Sequence, residues 1–319
     1  MSTTQANPES ALDRDCPVID GRRQIQRLSA RSSDVGGIPV ARLLPQRDRR
    51  LIGAWCFLDH AGPAHFAPGE PGLHVGPHPH TSLQTFTWMI AGTVLHRDSL
   101  GYEQIIRPGQ VNLMTAGRGI SHTEDSPEGE RNLHAAQLWI ALPHAHRDVP
   151  PRFDHYPELP RFGLGQVDAT LLIGRYADHE APTLSYSPLL GMDLAWSRQT
   201  RQAIALEPTF EYGILPLEGA LRIDGERFET DELAYLGIAR EAVDIETLGE
   251  GRALLIGGRP LDEEITIWWN FVGHSRAEIE QAQRDWNAGD ARFGRVVNAQ
   301  RPRLAPPPIP WARSDDAKT

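Results

Sequence analysis

The sequence predicts an all-β chain folded as two similar barrels, followed by one short C-terminal helix. Three observations carry this. From Leu51 onward short apolar runs alternate with glycine and proline turns, and many short strands with regular turn signals read as a sandwich or barrel. The pattern occurs twice. Trp88-Met89-Ile90-Ala91-Gly92-Thr93-Val94 precedes Asp98-Ser99-Leu100-Gly101, and Leu215-Pro216-Leu217-Glu218-Gly219-Ala220-Leu221 precedes Asp224-Gly225. Finally, 319 residues is a length suited to two medium domains.

In chain order, residues 1–20 are polar and read as a flexible N-terminus. The first barrel is expected over 21–145, with apolar runs at Thr85–Ile90, Gln110–Met114 and Leu133–Leu142. Its turns fall at Ala91-Gly92, Ser99–Gly101 and Pro108-Gly109. Pro143–Pro160 is rich in proline, histidine and charge, and the domain boundary is placed there. The second barrel is expected over 160–298 and ends in a helical segment, Arg276–Asn287, where Ile279, Ala282 and Trp286 recur at helical spacing. The tail, 299–319, carries Pro306-Pro307-Pro308 and Pro310 and reads as an extended arm.

Composition narrows the function. Hydrophobic content is 40% and charged content 23%, as in ordinary globular proteins. The formal net charge of −10 argues against direct nucleic-acid binding, which needs a concentrated basic face. Arg47-Asp48-Arg49-Arg50 is a short run carrying its own acid, and it reads as a solvated turn. There are two cysteines, Cys16 and Cys56, too few for a disulfide framework, so reduced thiols in the cytoplasm are expected. No secretory leader pattern opens the sequence, and no apolar run approaches the roughly 20 residues that span a bilayer.

The chemistry concentrates in two pairs. His78-Pro79-His80 places two imidazoles at i and i+2, on one face of an extended strand. His122-Thr123-Glu124 repeats the spacing with an imidazole and a carboxylate. On neighbouring strands, the four side chains would converge inside a barrel. Three nitrogens and one carboxylate suit one divalent transition metal, and donor type alone does not separate Fe, Mn, Cu, Ni and Zn. The bland alternative is two unrelated surface pairs. His144-Ala145-His146 has the same spacing but lies in the proline-rich linker without a second pair. His60 reads as structural, His74 as a candidate support behind the site, and His96 as a hydrogen-bonding residue beside a turn. Gly117 and Gly119 read as a tight turn delivering His122.

The stretch from Pro77 to Glu124 resembles the metal-binding domain of the pirin family. The residues that carry the likeness are His78-Pro79-His80, His96-Arg97-Asp98-Ser99-Leu100-Gly101, Pro108-Gly109, and Met114-Thr115-Ala116-Gly117-Arg118-Gly119-Ile120-Ser121-His122-Thr123-Glu124. Further matches are Phe57-Leu58-Asp59-His60, Gln137-Leu138-Trp139-Ile140, Ile256-Gly257-Gly258-Arg259-Pro260-Leu261 and Trp269-Asn270-Phe271-Val272. The resemblance implies two facing cupin (jelly-roll) barrels with metal only in the first, held by His78, His80, His122 and Glu124. It implies iron(II) as the metal. Some members are similar to quercetin 2,3-dioxygenases, which open a flavonol with oxygen; a eukaryotic member is a nuclear co-regulator.

Two positions depart from the family pattern. Thr81 stands where an arginine is common, and Gln84 where cupins usually carry glutamate. Gln84 cannot act as a general base, but its amide could orient a substrate. In the second half, Ala205 and Glu207 occupy the positions equivalent to His78 and His80, so no metal is expected there. Two functions compete. One is a metal-dependent dioxygenase acting on a flavonol or enediol. The other is an iron- or redox-sensing regulatory protein that binds a protein partner. Metal-dependent isomerase chemistry ranks below both, since it normally wants a carboxylate base.

Overall fold

The computed structural model describes Thr4–Gln5, Cys16 and residues 18–311. Most of the expected flexible N-terminus, and the end of the tail from 312, lie outside the described residues. Among the described residues the chain is all-β apart from the helix Arg276–Ala288 and two short 3-10 turns, His144–His146 and Ala291–Phe293.

The first barrel is a large sheet facing a small one. The large sheet runs in the order Arg152–Tyr156, Val111–Thr115, Leu83–Gly92, Asn132–Ala141, Trp55–His65, Ile38–Leu44, Arg31–Val35. The small sheet runs Glu103–Ile106, Val94–Asp98, Ile120–Asp125, His74–His80. The second barrel repeats this plan. Its small sheet runs Arg201–Ala205, Ala242–Thr247, Leu221–Ile223, Glu226–Phe228. The inner strands of its large sheet are Val167–Tyr176, Leu189–Trp196, Gly251–Gly258, Glu211–Glu218 and Glu232–Gly237. The paired glycines of the sequence repeat do equivalent work: Gly92 and Gly219 both take left-handed backbone, φ 78° and 70°. At Gly92 an added Cβ would run into the Asn132 carbonyl.

Strand alternation sorts the side chains. On the large sheet of the first barrel one face looks into the barrel and the other packs on the second barrel. Leu58, Phe86, Trp88 and Leu138 from the first barrel meet Leu172, Leu215, Leu217 and Leu254 from the second in one core. Each such side chain removed from water contributes about 1.5–3 kcal/mol. The interior of the second barrel is filled by its own cluster, including Ile204, Tyr212, Phe228, Leu236 and Ile245. Ile204 sits on Arg201–Ala205, the strand equivalent to the one that carries His78 and His80.

The expected boundaries and the sheets divide the chain differently at two places. Gln26–Ser29, within the segment assigned to the first barrel, pairs with Glu232–Tyr235 in the large sheet of the second. Arg27 forms an ion pair with Glu232 and lies 3.9 Å over the Phe228 ring. Arg49, from the run read as a solvated turn, stacks 3.7 Å over Tyr235. Within the expected linker, Arg152–Tyr156 pairs with Val111–Thr115 and forms the edge of the first barrel's large sheet.

The helix is capped at both ends. Ser275 Oγ accepts from the Glu278 N–H, and Gly289 closes the helix in left-handed backbone. Its buried face, Ile279, Ala282 and Trp286, packs on Trp268, Phe271 and Phe293.

Candidate metal centre

His78, His80 and His122 sit on two adjacent strands of the small sheet, His74–His80 and Ile120–Asp125, with His122 directly opposite His78. One ligand atom from each lies within 4.8 Å of the others. All three residues are buried. Glu124 lines the same cavity but is outside that group. The pairing shifts register beyond His122: Gly76 and Pro77 together stand opposite Thr123, so that Glu124 pairs with Val75, past the histidine pair.

Hydrogen bonds select one tautomer at each ring. His78 Nδ1 donates to the Gly76 carbonyl at 2.9 Å, and His80 Nδ1 to the Asn270 carbonyl at 2.9 Å. At His122 the deduction takes two steps. His96 Nε2 lies 3.1 Å from Asp98 Oδ2, an acceptor, so that nitrogen carries the His96 proton. His96 Nδ1 is then an acceptor and receives the His122 Nδ1 proton across 3.3 Å. Every ring is left with its Nε2 lone pair for a ligand. The Nε2 atoms of His80 and His122 face one another at 3.1 Å. Two lone pairs so placed repel, and a cation between them removes the conflict. The donor set therefore fits a bound divalent metal.

Electrostatics agree. Burial pushes the His78 pKa down to about 4 and holds His80 and His122 well below the usual histidine range, with neighbouring imidazoles adding to the effect. The rings are neutral at pH 7, as metal ligands must be. Burial pushes the Glu124 carboxyl up to about 7, helped by the charge of Asp125, and its remaining exposure is toward the cavity.

The cavity has a volume of about 470 Å³, in the range of small-molecule sites. Beside the histidines stand two aromatic walls, Trp139 and Phe57, stacked at 4.2 Å, with His80 edge-on to Trp139 at 5.1 Å. Trp269, Leu304 and Pro307 reach it from the C-terminal segment. The tail is anchored there: the Leu304 N–H donates to the Pro77 carbonyl and Trp286 Nε1 to the Leu304 carbonyl, each at 2.9 Å.

The other residues singled out in the sequence are dispersed. Gln84 does not reach the cavity. It is on the alternate phase of its strand, with Phe86 and Trp88, and its amide donates to Thr115 Oγ1 at 3.0 Å and the Leu184 carbonyl at 3.4 Å. A substrate-orienting role is thus corrected by strand parity. Thr81 donates its hydroxyl to the Val272 carbonyl at 3.0 Å, stapling the C-terminal segment beside the histidines. His60 faces the second barrel, bound to His134 and Asp231. His74 pairs with Asp125 at 2.9 Å, next to Glu124. His144 and His146 lie on a 3-10 turn, where His144 meets His274 edge-on. Asp98 and the Asn270 carbonyl were not singled out; the i, i+2 spacing of His96 and Asp98, the same as in the two ligand pairs, was the available signal.

Residues 37–140 match the family model for pirin, and residues 191–294 that for the pirin C-terminal cupin domain. The chain belongs to the pirin family. It is 57% identical to a Pseudomonas aeruginosa protein provisionally named as a quercetin 2,3-dioxygenase, over 98% of each chain. It is 36% identical to a pirin-like protein of Caulobacter vibrioides, covering 82% of this chain and 92% of that one. Among solved structures, a quercetin 2,3-dioxygenase from Acinetobacter baumannii matches with a TM-score of 0.88 and 46% identity, over 91% of this chain and 97% of that one. The pirin fold is thus two cupin domains, and no helix among the described residues is long and apolar enough to cross a membrane.

Proposed function

We propose that this pirin is a metal-dependent oxygenase of the quercetin 2,3-dioxygenase type, acting on a flavonol or related enediol at His78, His80 and His122. Glu124, on the same wall, supplies the carboxylate. The observation that carries the reading is the convergence of three neutral imidazoles, lone pairs inward, on an aromatic-lined cavity. The names of the relatives from Pseudomonas and Acinetobacter point the same way. Imidazole and carboxylate donors suit iron(II), the metal this reading takes, and would also accept Mn, Cu, Ni or Zn. When bound, such a metal would polarise a chelating hydroxy-ketone and offer a position for dioxygen.

The chain's own residues do the rest. The Asp98–His96–His122 bonds hold the ligand ring in one orientation. Phe57 and Trp139, stacked on each other, give a planar substrate an apolar wall beside the histidines. Gln84 takes no part. Cytoplasmic placement belongs to the same reading and is supported by the buried thiol of Cys56, which burial pushes up to about 12, far from reactive.

The test is oxygen consumption with quercetin, under Fe(II), Mn(II), Cu(II) and Ni(II) in turn. Metal-dependent uptake with a ring-opened product, reduced to background in His78→Ala, is expected. A metal-loaded protein that consumes no oxygen with any flavonol would sink the enzyme reading and leave the sensing role with a protein partner.

A further inference from the structure

Opposite the histidines, the large sheet of the first barrel carries a polar row across four neighbouring strands. Arg42 is the cross-strand partner of Asp59, Asp59 of Gln137, and Gln137 of Thr87. All four line the cavity. One register step away lies the aromatic pair Phe57 and Trp139; on the other side is an apolar row of Val40, Ala61, Ala135 and Met89. The polar row is thus a single band between two nonpolar ones.

Its hydrogen bonds leave donors to spare. Asp59 takes two bonds from Arg42, at 2.8 and 2.6 Å through Nε and Nη2. Thr87 donates to Gln137 Oε1 at 2.7 Å, which fixes the Gln137 amide with its nitrogen turned away. Among the described residues neither Gln137 Nε2 nor Arg42 Nη1 has a partner. Arg42 also stacks on Phe57, 4.8 Å from the ring centre. Steps of 4.2 to 5.1 Å lead from His80 through Trp139 and Phe57 to Arg42. A flat ligand whose chelating head meets the histidines would pass alongside this stack and bring its far edge to the polar band.

We propose that Gln137 and Arg42 are the specificity-determining contacts of the cavity, donating to hydroxyl or phenolate oxygens on the ring of a flavonol remote from its chelating head. This rests on the flavonol reading above. It selects polyhydroxylated ligands over bare ones, because a donor band in a nonpolar cavity is desolvated at a cost unless an acceptor meets it.

The experiment is anaerobic titration calorimetry of the metal-loaded full chain with quercetin and with 3-hydroxyflavone, which keeps the chelating head and lacks the ring hydroxyls. Wild type should bind quercetin about tenfold tighter or more, the worth of roughly one hydrogen bond. Gln137→Glu keeps the acceptor for Thr87 and removes the donors. It should abolish that preference while leaving 3-hydroxyflavone within about twofold of wild type. Arg42→Met should act likewise; if the bared Asp59 prevents folding, Gln137→Glu decides alone, with thermal unfolding as its control. A preference that survives Gln137→Glu, or a loss shared equally by both ligands, overturns the inference and leaves the flavonol reading standing. Failure of loaded wild type to bind either ligand sinks both.

Discussion

The tautomer of His122 is set two residues away from any metal, by Asp98. That carboxylate also ties its own turn, accepting the Leu100 and Tyr102 N–H groups through Oδ1. Asp98→Asn would keep the turn and present an amide N–H to His96 Nε2. The relay then inverts: His96 Nδ1 becomes the donor, His122 takes its proton on Nε2, and a ligand lone pair is lost. Metal affinity should fall about 10- to 100-fold, as for other residues that orient metal-bound histidines. Chelator competition measures it, and an unchanged unfolding temperature separates it from damage to the fold. Residue-level legibility follows the same lines. His78, His80 and His122 could be read because strand spacing places side chains; the extra residue of the facing strand at Gly76 and Pro77, which sets Glu124 beside Val75, is something no spacing rule reveals. Gln84 was misplaced because parity on a strand requires knowing which face is inside.

Among the elements, the tail shows what composition leaves out. Proline content predicts an extended arm and says nothing of where it docks. It lies against Gly76, whose added Cβ would stand 2.5 Å from the Pro302 carbonyl and 3.5 Å from Leu304. Arg303 donates to the Trp286 carbonyl at 2.7 Å, and Gln283 to that of Pro307 at 3.0 Å. Gly76→Val should lift the tail from this seat. Expected are faster proteolysis beyond Gln300 and a loss of about 1–3 kcal/mol in denaturant unfolding. Unchanged proteolysis would show that the tail is held by the helix alone. The helix itself was legible to within a residue, since its buried stripe and caps are local.

At the scale of the whole molecule, the interface between barrels holds a charge. Asp193, 3% exposed, accepts from Trp88 Nε1 at 3.1 Å and sits 3.7 Å from Arg252. Burial pushes its carboxyl up to about 6, only partly opposed by Arg252 and the Trp88 bond. A raised folded-state pKa means that the folded chain holds the proton more tightly than the unfolded one. The stability so gained is full below about pH 4 and is lost as pH rises through about 6, roughly 3 kcal/mol in all. Asp193→Asn keeps the acceptor for Trp88 and should remove this slope; equal slopes of wild type and variant between pH 4 and 7 would contradict it. The two-barrel plan was legible because the glycine turns repeat. The exchange of Gln26–Ser29 was not, because pairing between segments so far apart leaves no local trace.

That exchange bears on how the protein is made. Arg27 emerges from the ribosome long before Glu232, 205 residues later, which supplies its ion pair. The strand therefore waits, unpaired, while the metal-site barrel is synthesised, and the edge it is to cover does not yet exist. Only late in translation can the chain's beginning be sewn to its second half. An exposed strand held open for that interval is a template for unwanted pairing, so nascent chains, rather than finished ones, are the form of this protein most exposed to aggregation.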